Sequence, residues 1–170
     1  MKQLFSLLIA LITATTIFAQ QAEVTKDGSG TKIIKGFMSQ KDLSTDTDFP
    51  WYAENQKGFT PDANAVNAFS HAKDSVHFLV FGGTWCGDTK NLLPKFFALT
   101  DAASFPQDRI TILGVDRSKK TLHHLTEAFN VTRVPTIIVL KNGKEIGRVV
   151  EYGRMGMIDK ELGEIVSGKK

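Results

Sequence analysis

The chain has 170 residues, 42% of them apolar and 23% charged, with a formal net charge of +3. That length is about one domain and enough to bury a core, and so small an excess of base, without a dense basic stripe, excludes a charged nucleic-acid-binding surface. One cysteine, Cys86, excludes an internal disulfide and any zinc site built on cysteine pairs.

The chain opens MKQLFSLLIALITATTIFAQ: one positive charge, an apolar run over 4–11, then small and polar residues to Ala19. This pattern predicts a signal peptide over residues 1–19, cut after Ala19. Its apolar core is shorter than the roughly 20 residues a membrane span needs. The mature chain is therefore expected to be exported, periplasmic or secreted, with no stable membrane anchor after cleavage. Losing Lys2 leaves a charge of +2.

Residues 20–60 read as a partly ordered N-terminal extension. The polar stretch QAEVTKDGSG is expected to be a mobile lead-in. TKIIKGFMS carries β-branched residues and predicts a short strand, and QKDLSTDTD (40–48) reads as a polar loop. Pro50, Trp51 and Tyr52 then form an aromatic anchor expected to pack on the core.

From residue 61 the pattern is regular. Asp62 is a predicted N-cap, with Val66, Phe69 and Ala72 on one helical face. SVHFLVFGG (75–83) is a near-continuous apolar run ended by glycines, as a buried central strand is. After Cys86, the residues Leu92, Leu93, Phe96 and Phe97 recur at helical spacing, interrupted by Pro94. RITILGVD (109–116) predicts a second buried strand. Leu122, Leu125 and Phe129 predict a helix over 121–129. TIIVL (136–140) is a third strand, Lys141-Asn142-Gly143-Lys144 a tight turn, and EIGRVVEY (145–152) a fourth strand. Ile158, Leu162, Ile165 and Val166 mark a final helix. The order predicts two parallel crossovers and an antiparallel hairpin: an α/β sheet with helices on both faces.

In this setting, residues 62–168 resemble the thioredoxin family. Trp85-Cys86-Gly87 stands between the central strand and the next helix, where the family has Trp-Cys-Gly-Pro-Cys. Pro94 stands at the family's helix kink, Val134-Pro135-Thr136 at its cis-proline segment, and Asn142-Gly143 at its hairpin turn. The resemblance implies a thioredoxin-like domain over 61–170. The site departs from the family pattern at three positions: Thr89 replaces the second cysteine, Asp88 the intervening proline, and Val80 a buried aspartate.

A dithiol cycle needs a resolving thiol to break the mixed disulfide, and one chain here cannot supply it. Cys86 is predicted at a helix N-terminus, beside Gly87, where backbone N–H groups and the helix dipole favour a thiolate. Thr89, one turn on, is placed to donate its hydroxyl to the sulfur. Asp88 opposes a second negative charge, so the expected activation is moderate. Trp85 is a candidate contact surface. The resemblance implies a cis peptide before Pro135 and a backbone at Val134 that pairs with an extended substrate, a strand-addition mode.

The remaining polar residues carry less. Arg133 is expected to be a solvated loop residue, and Asp116 to cap a turn. His123 and His124 are adjacent on the predicted helix and diverge, so they make no bidentate metal pair. There is no Gly-rich phosphate loop and no Gly-x-Ser-x-Gly elbow, and neither a metal nor a cofactor is expected. Two readings stay open. In one, Cys86 is a single-thiol thiol–disulfide oxidoreductase, exchanging with protein thiols or disulfides in redox homeostasis and resolved by an external reductant or reductase. In the other, the fold is a redox-inactive peptide-binding module.

Overall fold

The computed structural model describes residues 22–169, and the predicted signal peptide lies outside the described residues. The sheet is built around β3 (Val76–Gly82), buried on both faces as its apolar run predicts. Side chains alternate along a strand. Phe78 and Val80 accordingly join one core cluster, while Leu79 and Phe81 join another on the opposite face. β4 (Ile110–Gly114) lies parallel to β3 on one side. β5 (Thr136–Lys141) lies antiparallel to it on the other and pairs with β6 (Lys144–Val150). β2 (Lys32–Met38) runs antiparallel to β4, and β1 (Glu23–Lys26) runs antiparallel to β2. The six-stranded order is β1-β2-β4-β3-β5-β6.

The direction of β5 corrects an expectation. The order of elements in the sequence predicts two parallel crossovers here, but only the step from β3 to β4 is one. After β4 the chain stays at the carboxyl ends of β3 and β4 and enters β5 from that end. β5 must then run back against β3. The consequence is functional, because the start of β5 falls beside the loop that follows β3.

Five of the described helices feed the first core cluster: α1 (Gln40–Ser44), α2 (Trp51–Gln56), α3 (Ala63–Ala72), α4 (Gly87–Ala102) and α6 (Ile158–Ser167). Phe78 is its hub. It stacks on Phe69 at 4.8 Å between ring centroids and meets Phe96 and Phe105 edge-on at 5.4 and 5.0 Å. Asp62 caps α3 as predicted, accepting from Asn64 N and Ala65 N. Pro94 sits inside α4, and Asn142 and Gly143 both take left-handed φ at the β5–β6 turn. The second cluster is covered more lightly, by Leu125 and Phe129 around α5 (Leu125–Ala128). The predicted helix over 121–129 is broken. His123 and His124 both have positive φ, which splits it into a 3-10 turn at Leu122–His124 and the four residues of α5.

Residues 22–60 are less loose than expected. The predicted lead-in forms β1, and the predicted polar loop at 40–48 contains α1 (Gln40–Ser44). α1 opens on a capping box: Ser39 Oγ accepts from Asp42 N, and the Asp42 carboxylate accepts from Ser39 N. Ile34, Met38, Leu43, Phe49, Trp51 and Tyr52 all belong to the first core cluster, so the aromatic anchor packs as predicted. Among the described residues, no helix is long and apolar enough to cross a membrane.

Candidate functional site

The loop after β3 and the loop before β5 meet at the carboxyl end of β3. Cys86 is the N-cap residue of α4, with extended backbone (φ −83°, ψ 128°). Its N–H donates to Gly83 O at 2.8 Å, and its carbonyl accepts the first helical bond, from Lys90 N, at 3.0 Å. Its side chain is half-buried against the second core cluster. The Val134–Pro135 peptide is cis, and the Cys86 Sγ–H donates to Val134 O at 3.3 Å. The two loops that the sequence separates by almost 50 residues thus meet at the sulfur.

Gly87 is the first helical residue and is exposed, and a Cβ there would meet open space. Asp88 stands in the first turn of α4, where an acid complements the helix dipole. Thr89 is fully buried, and its hydroxyl accepts from Gly83 N at 3.2 Å. That bond ties the site loop to α4 and differs from the expected hydrogen bond to the sulfur. Thr89 faces Gly82, where a Cβ would come within 3.0 Å of the threonine methyl, so its side chain points back into the fold. Val80, where the family keeps an acid, is fully buried in the first core cluster.

Trp85, the candidate contact surface, is half-buried. Its Nε1–H donates to Val115 O at 3.0 Å, and its ring lies on Gly83, where a Cβ would come within 2.8 Å of the indole. The Arg117 guanidinium sits 5.4 Å from the ring centroid. Arg117 in turn donates to Asp27 from Nε at 2.8 Å and from Nη2 at 2.6 Å. The Ser29 hydroxyl and Arg117 hold the Asp27 carboxyl well below the usual carboxylate range. Arg133 pairs with Glu151 at 2.8 Å, and the Glu151 N–H donates to Pro135 O at 2.7 Å. Asp116 caps the turn after β4 as predicted, accepting from Lys120 N at 2.9 Å. His123 and His124 both stand in the 3-10 turn before α5, each with positive φ, and not on the predicted helix.

Three further residues stand around the site without a motif in the sequence that marks them as part of it: Thr84, Arg117 and Asp27. Thr84, nearly fully buried, donates to Lys32 O at 2.8 Å and accepts from Ile34 N at 3.3 Å. A threonine before Trp-Cys carries no pattern that announces this. Asp27 did carry a signal, because Asp27-Gly28 between two β-rich runs is a hairpin cue. A groove of about 720 Å³ between α3 and α6, lined by Asn64, His71, Lys160 and Glu164, does not include Cys86. Cys86 lies outside this groove and is half-exposed.

The comparisons agree with this geometry. A thioredoxin of Echinococcus granulosus is 36% identical over 77 residues, 45% of this chain and 66% of its own. An Arabidopsis thaliana thioredoxin is 34% identical over 84 residues, 48% of this chain and 59% of its own. The chain thus spans just under two thirds of the length of these relatives. The solved structure of a Pseudomonas aeruginosa protein of unknown function superposes with a TM-score of 0.51 at 15% identity, over 71% of this chain and 84% of that one, a likeness of fold. The thioredoxin family model matches residues 62–162, from the cap of α3 into α6, and the chain belongs to the thioredoxin family.

Proposed function

We propose that this chain is an exported thiol–disulfide exchange protein that works with one reacting thiol. The observation that carries the proposal is the placement of Cys86. It is half-exposed at the start of a 16-residue helix, with its sulfur on the carbonyl that precedes cis-Pro135. The Cys86 thiolate attacks one sulfur of a protein disulfide. A Cys86–substrate disulfide forms, and the other substrate sulfur leaves as a thiolate. With no second cysteine in the chain, an external thiol or a separate reductase attacks the mixed disulfide and releases the Cys86 thiolate. Moving the Sγ–H off Val134 O frees that carbonyl for an extended substrate, so deprotonation and substrate pairing go together. Residues 1–19, by their composition, support export to the periplasm or beyond the cell.

The test is adduct formation. Reduced wild-type protein offered an oxidised, unfolded disulfide protein is expected to form a mixed disulfide that dithiothreitol reverses, and Cys86→Ser none. Absence of the adduct from wild type sinks the exchange reading. A second reading, a peptide-binding scaffold without turnover, is supported by Thr89, which is buried and bonded to Gly83 where the family has its resolving thiol. Partners held equally by wild type and Cys86→Ser would favour it.

A further inference from the structure

The β1–β2 hairpin lies outside the stretch matched by the family, yet it reaches the site. Its register with β4 covers only Gly36 to Met38, opposite Gly114 to Ile112. Residues 32–34 therefore overhang the carboxyl end of the parallel strands, where the site loops lie. Thr84 meets the overhang through the bonds to Lys32 O and Ile34 N. Gly114 allows the close approach, because a Cβ there would lie 2.1 Å from Ile34 O.

The tip of the hairpin is built around Asp27. Its Oδ1 accepts from Ser29 N, Ser29 Oγ and Thr31 N at 2.9, 2.6 and 3.0 Å. Those bonds fix the carboxylate, and its Oδ2 takes both Arg117 contacts. Arg117 is half-exposed and free to swing on its own, but this anchor holds its guanidinium over the Trp85 ring. Trp85 is the residue immediately before Cys86.

We propose that the N-terminal hairpin is a built-in wall of the site: Asp27 positions Arg117, and Arg117 positions the Trp85 indole that receives the polypeptide flanking a substrate disulfide. Asp27 and Arg117 are positioning residues that touch neither the sulfur nor its substrate. What the indole is positioned for rests on the exchange reading above; that it is positioned does not.

The experiment uses protein labelled with 5-fluorotryptophan, whose two resonances, Trp51 and Trp85, are assigned through Trp51→Phe. Asp27→Asn and Arg117→Gln are expected to shift the Trp85 resonance and leave that of buried Trp51 in place. Acrylamide access to Trp85 should rise about two- to fivefold, the scale of an exposed cation–π contact. The double variant should go no further than Arg117→Gln alone, since Asp27 acts through Arg117. Mixed-disulfide formation with a protein disulfide should slow by a similar factor, while the rate with neutral hydroxyethyl disulfide stays unchanged, a split that a general loss of structure would not produce. An unmoved Trp85 resonance in both single variants overturns the proposal, as does additivity in the double. A wild type that forms no mixed disulfide while Trp85 still responds removes the exchange reading and leaves the positioning intact.

Discussion

Replacing Thr84 by valine tests the overhang directly. Threonine and valine have nearly the same shape, so the change leaves almost no cavity and isolates the hydroxyl. That hydroxyl is buried and serves two backbone groups of β2, Lys32 O at 2.8 Å and Ile34 N at 3.3 Å. Leaving a buried backbone group without a partner costs about 1–3 kcal/mol. The longer bond to Ile34 contributes at the low end, so the total is about 2–4 kcal/mol. For a domain of this size that corresponds to a fall in Tm of about 5–15 °C. Thr84→Ser keeps the hydroxyl and loses one methyl, a cost of about 1 kcal/mol. Urea unfolding with Cys86 kept reduced measures both, the slope serving to confirm that the unfolded state is unchanged. If Thr84→Val stays within about 0.5 kcal/mol of wild type, the range of an ordinary surface change, the hydroxyl does not hold the hairpin and the overhang is passive.

Acid should unfold the protein through carboxylates that are better held in the fold than in the open chain. Hydrogen bonds from Lys120 first and Thr126 second bring Glu127 down to about 2, and Lys32 foremost lowers Asp46. Asp27 is lowered as well, by Ser29 and then Arg117. Groups with depressed folded values stabilise above the unfolded value and lose that contribution as pH falls through the folded one. Tm should therefore be level above about pH 5 and drop between about pH 4 and 2; a Tm that rises toward pH 3 contradicts the assignment. At the alkaline end, burial foremost pushes the Tyr52 phenol up to about 12. In Tyr152→Phe protein the phenolate absorbance should thus appear only near pH 12, and the stability that the neutral phenol contributes below about pH 10 should disappear over the same interval. A midpoint near 10 with the fold intact would refute it. Phe78→Ala empties the hub of the first core cluster and should cost about 3–5 kcal/mol by urea unfolding; a loss under about 1 kcal/mol would mean that its three ring contacts carry little.

Much of the frame was legible because it rests on local rules. The apolar run of β3, the Asp62 cap, the spacing of Leu92, Leu93, Phe96 and Phe97 along α4, and the Asn142-Gly143 turn each follow from neighbours within a few residues. Cys86 at the start of α4 followed from the same order of elements, and Pro135 opposite it from the resemblance to the family. The short α1 was equally local, and its Ser39–Asp42 box was readable, but the acidic run around it masked the pattern. The break at His123 and His124 had no such cue, because two left-handed residues in succession run against the helical spacing of Leu122, Leu125 and Phe129.

The sequence by itself determined that one thiol stands at a helix start on an α/β sheet, since periodicity, capping and cysteine count are properties of the chain read along its length. Only the tertiary structure decided what surrounds that thiol. β5 runs antiparallel because the chain stays at one end of the sheet, and so Val134 comes to lie on Cys86. Asp27, Arg117 and Trp85 form one stack because the hairpin passes over Gly114 closely enough that no side chain fits there. Contacts between residues this far apart depend on how the elements approach one another, and no window along the chain contains that information.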